Sequence, residues 1–281
     1  MEELKIINQI KSKKSFLCIG LDVDLNKIPK FLLKQEDPIF SFNKSIIDST
    51  NKHCIAYKLN IAFYEAFGVK GWKSLEKTIN YINEHHPEIF TIADAKRGDI
   101  GNTSKMYAKS FFEELNFDSI TVNPYMGRDS VEPFLEYNDK NTIILGLTSN
   151  QGSKDLQLLK TNEGYVFMEL IKSSKSWTNS KNLMYVIGAT KTEYIEEVRK
   201  IIPNNFLLIP GVGAQGGDLN EVCKKSMNSN VGIIINSSRG IIYSSNDVDF
   251  AEAAKNQAIS IQKQMEQILI QSNLVWLNTK Y

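Results

Sequence analysis

Charged residues of alternating sign recur in the first hundred positions, each where an apolar run ends. They are Asp22, Lys58 and the segment Asp94-Ala-Lys96-Arg-Gly-Asp99. An unpaired charge beside buried strands is costly, so these carboxylates and ammonium groups are expected to form a hydrogen-bonded array. Any one of them alone would fit a structural ion network or a solvent-facing rim charge. Together they favour catalysis, because clustered ionisable groups in a cleft commonly have shifted pKa values.

A second group of residues, near the C-terminal end, points to phosphate binding. The run Pro210-Gly-Val-Gly213-Ala-Gln215-Gly-Gly follows one apolar stretch, and Arg239-Gly240 follows the next. Glycines let backbone N–H groups approach a ligand, and an arginine can pair bidentately with phosphate oxygens. A glycine-rich loop by itself would also fit a simple turn. Joined to the arginine, it favours a phosphate site.

Eight short apolar runs precede these polar groups and must position them. They cover residues 16–23, 55–61, 90–95, 119–123, 142–148, 183–189, 206–210 and 231–236. Each run is too uniformly apolar for a half-exposed antiparallel strand. We therefore expect buried parallel strands.

Segments with helical periodicity separate the runs. Residues 72–85 place Leu75, Ile79 and Ile82 on one face, and residues 104–115 show the same pattern. Alternating strands and helices predict an α/β fold, a (β/α)₈ TIM barrel, whose strand ends carry function and whose last two loops commonly bind phosphate. A doubly wound open sheet is the alternative. With no linker, we expect a single domain over 1–281, with residues 149–164 as a candidate mobile loop.

Composition excludes several classes of protein. The 281 residues are 42% hydrophobic, and 33 basic against 32 acidic residues give a net charge of +1. This balance predicts no broad attraction to nucleic acid or to a membrane. Three widely spaced cysteines, Cys18, Cys54 and Cys223, are expected to be buried free thiols. No signal peptide or apolar span is recognisable, so a cytoplasmic location is expected.

Other kinds of chemistry have little support in the sequence. His53, His85 and His86 are the only histidines and lie away from the predicted strand ends, so structural or solvent-facing roles are expected. Neither an HExxH motif nor an acidic cation loop nor a Ser/His/Asp arrangement can be found. The glycine run lacks the position of a dinucleotide fingerprint. Metal, acyl-enzyme and nicotinamide chemistry are therefore disfavoured.

The segment Asp94-Ala-Lys96-Arg-Gly-Asp99-Ile100-Gly-Asn-Thr103 resembles the signature of the orotidine 5'-phosphate decarboxylase family, D-x-K-x-x-D-I-x-x-T. The resemblance covers nearly the whole chain. Its other motifs are CIGLD at 18–22, KLN at 58–60, TVNPYMG at 121–127, LTSN at 147–150, PGVGAQGGD at 210–218 and SRG at 238–240. The TVNPYMG and PGVGAQ forms are similar to the longer subgroup of that family.

The resemblance implies decarboxylation of orotidine 5'-monophosphate to uridine 5'-monophosphate, the last step of de novo synthesis, without metal or cofactor. Lys96 would protonate carbon 6 as carbon dioxide leaves, and Asp94 would lie beside the substrate carboxylate. Asp22 and Lys58 would hold ribose hydroxyls and orient the array, with Asn60 nearby.

The resemblance also implies a homodimer, in which Asp99, Ile100 and Thr103 reach the active site of the partner subunit. Thr148 and Ser149 would contact the pyrimidine ring. The remaining implied contacts belong to substrate and phosphate binding, by Pro210, Gly213, Gln215, Arg239 and Gly240.

Two alternatives stay open at this point. One is a related sugar-phosphate decarboxylase or aldolase that shares D-x-K-x-x-D but uses a divalent metal; Ile100, Thr103 and the PGVGAQ run favour the nucleotide enzyme. The other is a catalytically silent nucleotide-binding barrel, against which the intact charged set argues. Val23 departs from the family, where many members have proline after the first aspartate, and it affects a turn alone.

Overall fold

The computed structural model describes residues 2–212, 217–272 and 274. Within them, eight strands form a closed barrel. The strands are β1 (Leu17–Gly20), β2 (Ala56–Asn60), β3 (Phe90–Arg97), β4 (Ser119–Val122), β5 (Asn141–Leu147), β8 (Leu183–Ile187), β9 (Leu207–Pro210) and β10 (Ile233–Ser237). Their order around the barrel is β1-β10-β9-β8-β5-β4-β3-β2. Neighbours such as β1 and β2, β2 and β3, and β4 and β5 pair in parallel. The predicted barrel is confirmed, and the open sheet was the wrong alternative.

Helices separate the strands. They are α1 (Glu2–Lys13), α2 (Pro38–Thr50), α3 (Ile61–Glu65), α4 (Gly68–His85), α5 (Gly101–Lys109), α6 (Arg128–Leu135), α7 (Val166–Ser174), α8 (Thr192–Ile201), α9 (Leu219–Ser226), α10 (Arg239–Ile242) and α11 (Phe250–Gln271). As predicted, α4 buries Leu75, Ile79 and Ile82 on one face. The second predicted helix, residues 104–115, consists of the end of α5 and a π-helical turn over Ser110–Glu114.

The strands are where the apolar runs predict them because these runs supply side chains for burial on both faces. All residues of β1, β4 and β8 are buried. The largest difference concerns β1, which ends at Gly20 instead of Val23. Leu21 still donates its N–H to the carbonyl of Lys58, but tyrosine hydroxyls then bind the next peptide groups and turn the chain.

The loop after β5 is more ordered than its sequence indicates. It contains a 3₁₀ helix, Gln151–Lys154, and a small antiparallel hairpin of β6 (Lys160–Thr161) and β7 (Gly164–Tyr165). Polar residues and glycine mask these elements in the sequence, since two-residue strands show no periodicity. The mobility of the loop stays a prediction.

The chain forms two compact units. The first comprises Met1–Ala95, Leu115–Phe117 and Asn236–Tyr281, and the second Lys96–Glu114 and Asp118–Ile235. All three cysteines are buried free thiols, as expected. None of the described helices is long and apolar enough to cross a membrane.

Candidate active site

A lysine between two carboxylates lies at the strand ends of the first unit. Lys58 Nζ donates to Asp94 Oδ2 at 2.9 Å and to Asp22 Oδ1 at 3.4 Å. The Lys58 side chain is only 6% exposed, against 11% for Asp94 and 16% for Asp22. Strand pairing sets this geometry, because Gly20 is in register with Lys58 and Asn60 with Asp94. The structure thus brings together three of the predicted catalytic and ribose-binding side chains, with Asn60 beside them.

The protonation of Lys58 follows from this arrangement. Burial alone would lower the pKa of its ammonium group, but the nearby carboxylates of Asp94 and Asp22 outweigh burial and raise it above the usual lysine value. Lys58 is therefore a permanent cation at neutral pH. The cluster is a fixed electrostatic element and Lys58 is no acid-base group.

Two tyrosine hydroxyls hold the turn that carries Asp22. Tyr243 Oη accepts the N–H of Asp24 at 2.6 Å and donates to the carbonyl of Asp22 at 2.8 Å. Tyr64 Oη donates to the carbonyl of Leu21 at 3.0 Å. Backbone groups that the ended strand no longer pairs are thereby satisfied. The turn is fixed on both sides of Asp22.

Lys96 has an unusual backbone. It lies at the end of β3 with φ of 49°, in the left-handed region that non-glycine residues rarely adopt, and its side chain is exposed. Its N–H donates to the hydroxyl of buried Thr121 at 2.9 Å. Strained residues of this kind persist where the surroundings hold them, and they cluster at functional sites. The positive φ gives the Lys96 side chain a different direction from that of a regular strand residue.

The segment after Lys96 packs on the loop after β4. Asn123 donates its N–H to the carbonyl of Arg97 at 2.7 Å, and a Cβ added to Gly98 would lie 2.7 Å from the carbonyl oxygen of Asn123. Only glycine fits at position 98. Asp99 follows this close approach and accepts the N–H of Ile100 at 2.7 Å. Ile100 is 55% exposed, and Thr103 is also exposed.

The end of β5 is held by a residue of the following loop. Gln157 Oε1 accepts the N–H of Thr148 at 2.8 Å, and Gln157 Nε2 donates to Thr148 Oγ1 at 2.9 Å. The Thr148 hydroxyl donates to Asn150 Oδ1 at 2.6 Å. Ser149 approaches Gly188 closely, since a Cβ there would lie 2.8 Å from the Ser149 nitrogen. Both predicted pyrimidine-binding residues thus lie in a defined turn.

The predicted phosphate-binding residues are only partly described. Gly213 and Gln215 lie outside the described residues. Pro210 ends β9, and Arg239 begins α10 with an exposed side chain. An added Cβ at Gly240 would meet no described atom within 4 Å, so the space at this position would accept a side chain.

Sequence reasoning missed four residues that hold the site: Tyr64, Thr121, Gln157 and Tyr243. Thr121 lies within the TVNPYMG motif, which was a signal for its importance but not for its role. The tyrosines gave no signal, because each acts on a turn distant in the sequence. Gln157 gave none because it lies in a polar loop without periodicity. The histidines have the expected structural contacts where hydrogen bonds are seen, as between His53 Nδ1 and Gln262 Oε1 at 2.7 Å. Over the described ranges, no three His, Cys, Asp or Glu side chains are grouped to hold a metal ion.

Known proteins resemble this chain over nearly its whole length. The model of the orotidine 5'-phosphate decarboxylase / HUMPS family matches residues 15–254. A protein of Christiangramia forsetii named orotidine 5'-phosphate decarboxylase is 63% identical over 265 residues, covering 94% of this chain and 97% of that protein. The protein of the same name from Flavobacterium johnsoniae is 60% identical, covering 96% and 98%.

Solved structures show the same fold. An OMP decarboxylase of Leishmania donovani aligns with a TM-score of 0.80 at 34% identity, covering 95% of this chain and 100% of the other. A putative orotidine-monophosphate-decarboxylase of Plasmodium yoelii aligns with a TM-score of 0.84 at 26% identity, covering 96% and 99%. By the family model, the identity to its relatives and its barrel, this chain belongs to the orotidine 5'-phosphate decarboxylase / HUMPS family.

Proposed function

We propose that this chain decarboxylates orotidine 5'-monophosphate to uridine 5'-monophosphate and carbon dioxide, without metal or cofactor. The observation that carries the proposal is the end of β3, where Asp94 is paired with buried Lys58 and Lys96 follows in a strained, exposed conformation. The names of the relatives at 60 to 63% identity support the same reaction over the metal-dependent sugar-phosphate chemistry of similar barrels.

The chemistry requires fixed charges. When the bond between carbon 6 and the carboxylate breaks, the electron pair stays on carbon 6 in the ring plane, where the π system cannot delocalise it. Preorganised charges in a closed site must then stabilise the carbanion. Lys96 supplies a cation and the proton that carbon 6 takes up, and neutral Lys96 recovers a proton from solvent. Asp94 lies beside the departing carboxylate.

Substrate recognition is assigned to the remaining predicted residues. Asp22 and Lys58 hold ribose hydroxyls with Asn60 nearby, and Thr148 and Ser149 contact the pyrimidine. Pro210 lines the substrate site, and the phosphate is bound by Gly213, Gln215, Arg239 and Gly240. Because the phosphate is remote from carbon 6, its binding energy can order the charged array and close the loop after β5.

The active form is proposed to be a homodimer in which Asp99, Ile100 and Thr103 complete the neighbouring active site. The exposure of Ile100 supports this, as do exposed Met106, Tyr125 and Met126. We propose one functional domain over 1–281, since residues of β3 belong to both compact units. Three buried free thiols support a reducing, cytoplasmic location.

The test is the ultraviolet absorbance of orotidine 5'-monophosphate mixed with purified protein, with and without a metal chelator, and with uridine 5'-monophosphate identified by chromatography. The proposal predicts rapid conversion that the chelator does not change. Chelator-sensitive turnover would support the metal-dependent alternative. Tight binding of uridine 5'-monophosphate without turnover would indicate a silent barrel.

A further inference from the structure

We propose that Tyr243 is a positioning residue that couples phosphate binding at Arg239 to the placement of Asp22 in the charged array. The inference rests on the proposed function and adds a residue that the family motifs do not include. It concerns the first compact unit alone, which contains Arg239, Tyr243, Asp22 and Lys58.

The contacts form a continuous chain. Tyr243 directly follows α10, the short helix that begins with Arg239, and its N–H donates to the Arg239 carbonyl at 3.2 Å. At its other end, the Tyr243 hydroxyl accepts from the N–H of Asp24 at 2.6 Å and donates to the carbonyl of Asp22 at 2.8 Å. One side chain therefore connects the proposed phosphate-binding helix to both peptide groups around Val23.

The ring of Tyr243 is held firmly enough to transmit a displacement. It stacks on Phe42 with centroids 6.0 Å apart and an interplanar angle of 24°, and Phe42 stacks on Phe250 at 5.2 Å and 14°. Stacked aromatic pairs in a core have few alternative arrangements. Movement of α10 would thus shift the hydroxyl together with the ring.

Asp22, at the other end of this series of contacts, is sensitive to small shifts. Asp22 lies 3.4 Å from Lys58 Nζ, whereas Asp94 lies at 2.9 Å. The Lys58–Asp22 contact is the longer of the two. A shift of a few tenths of an ångström at the Asp22 backbone therefore changes the electrostatic interaction between Asp22 and Lys58. A phosphate drawn to Arg239 would therefore set the array that acts on the distant base.

The hydroxyl keeps its proton under assay conditions. Burial, the largest cause, raises the pKa of Tyr243 to about 12. The group can therefore donate to the Asp22 carbonyl throughout the neutral and mildly alkaline range, and the coupling is independent of pH there.

A double-mutant cycle tests the proposal. Tyr243→Phe removes the hydroxyl and keeps the stacked ring, so the protein should fold, which its thermal unfolding will check. Steady-state kcat/KM for orotidine 5'-monophosphate is measured for wild type, Tyr243→Phe, Arg239→Ala and the double variant. The matched control is Tyr81→Phe, which removes a hydroxyl bonded to Asp48 on the outer helices of the same unit.

Coupling predicts that Tyr243→Phe lowers kcat/KM by about tenfold in the wild-type background and by less than about threefold in the Arg239→Ala background. Tyr81→Phe should leave kcat/KM nearly unchanged in both. Equal losses from Tyr243→Phe in the two backgrounds, or no loss in either, would overturn the inference while the proposed function stands. Folded wild-type protein that does not convert the substrate would overturn the proposed function itself, and the inference with it.

Discussion

Lys58 is a buried cation whose two carboxylate partners leave it little contact with solvent. Lys58→Met keeps much of the volume but removes the ammonium group that pairs with Asp22 and Asp94. Removing one partner of a buried ion pair costs about 3–5 kcal/mol, so the free energy of unfolding should fall by about 3 kcal/mol at pH 7. Urea unfolding followed by circular dichroism measures this change.

Lys44→Met is the matched control, since it removes an exposed ion pair with Asp48 within one helix and should cost at most about 0.5 kcal/mol. The pKa of Lys58 is raised on folding. Its stabilisation is therefore complete below the usual lysine pKa and is lost only as pH rises through the higher folded value. The difference between wild type and Lys58→Met should stay constant from about pH 7 to pH 9. A similar small cost for both variants would contradict a buried, paired Lys58.

Thr121 supports the strained backbone of Lys96. In Thr121→Val the Lys96 N–H loses this acceptor, and the left-handed conformation loses support worth about 1–2 kcal/mol. We expect kcat for the decarboxylation to fall by about tenfold with little change in the affinity for uridine 5'-monophosphate, measured by steady-state kinetics and calorimetry.

Thr142→Val is the control for this substitution. Thr142 is fully buried, and its hydroxyl has no hydrogen-bond partner among the described residues. The variant should therefore be neutral or slightly stabilising. Equal kinetic effects of the two substitutions would mean that Thr121 acts through the core and not through Lys96.

At the scale of single residues, the identity of the charged groups could be predicted and their support could not. Asp22, Lys58 and Asp94 are costly at the ends of buried strands, which makes them visible in the sequence. The positive φ of Lys96 has no such signal, because lysine has no preference for that conformation. It depends on Thr121, which lies 25 residues further along the chain.

The loop after β5 is fixed at Thr148 and borders a pocket at Gln157. Gln157 holds Thr148 by two hydrogen bonds. Gln157 also lines a pocket of about 590 Å³, which is bounded in part by Leu156, Phe167 and Trp177. The empty volume beside Gln157 favours local opening of this loop.

Gln157→Leu removes both hydrogen bonds and retains the size of the side chain. The Thr148 turn should then be less ordered, and KM for orotidine 5'-monophosphate should rise by about tenfold. Initial-rate kinetics with Gln151→Leu, an exposed glutamine of the same loop, provides the control. An unchanged KM in Gln157→Leu would show that the turn does not depend on Gln157.

Elements were predictable where burial alone defines them. All eight barrel strands lie within a few residues of the apolar runs, because parallel strands covered on both faces need continuous apolar sequence. The short hairpin at Lys160–Thr161 and Gly164–Tyr165 has no such requirement and was missed. The early end of β1 depends on Tyr64 and Tyr243, which sequence proximity does not reveal.

We expect the protein to act as a homodimer with shared active sites. If Asp99 completes the site of the other subunit, Lys96→Ala and Asp99→Ala homodimers are each inactive, but a mixed dimer has one intact site. Unfolding and refolding an equal mixture should then restore about one quarter of wild-type activity, since half the dimers are mixed and half their sites are intact.

The control mixes Lys96→Ala with Asp94→Ala, whose missing groups lie on the same strand of the same subunit and cannot complement each other. The shared active site would be contradicted if the mixture of Lys96→Ala and Asp99→Ala regained no activity. Wild-type protein refolded at the same dilution must regain its activity for this result to count. Sedimentation of each preparation verifies that dimers have formed.

The turnover of Lys96→Ala shows whether Lys96 donates the proton that completes decarboxylation. Conversion of orotidine 5'-monophosphate is followed by absorbance, and binding of uridine 5'-monophosphate is measured on the same preparation by calorimetry. If Lys96 is the proton donor, the variant loses at least about a thousandfold in kcat while nucleotide binding remains measurable. Near-normal turnover by Lys96→Ala would show that Lys96 is not the proton donor.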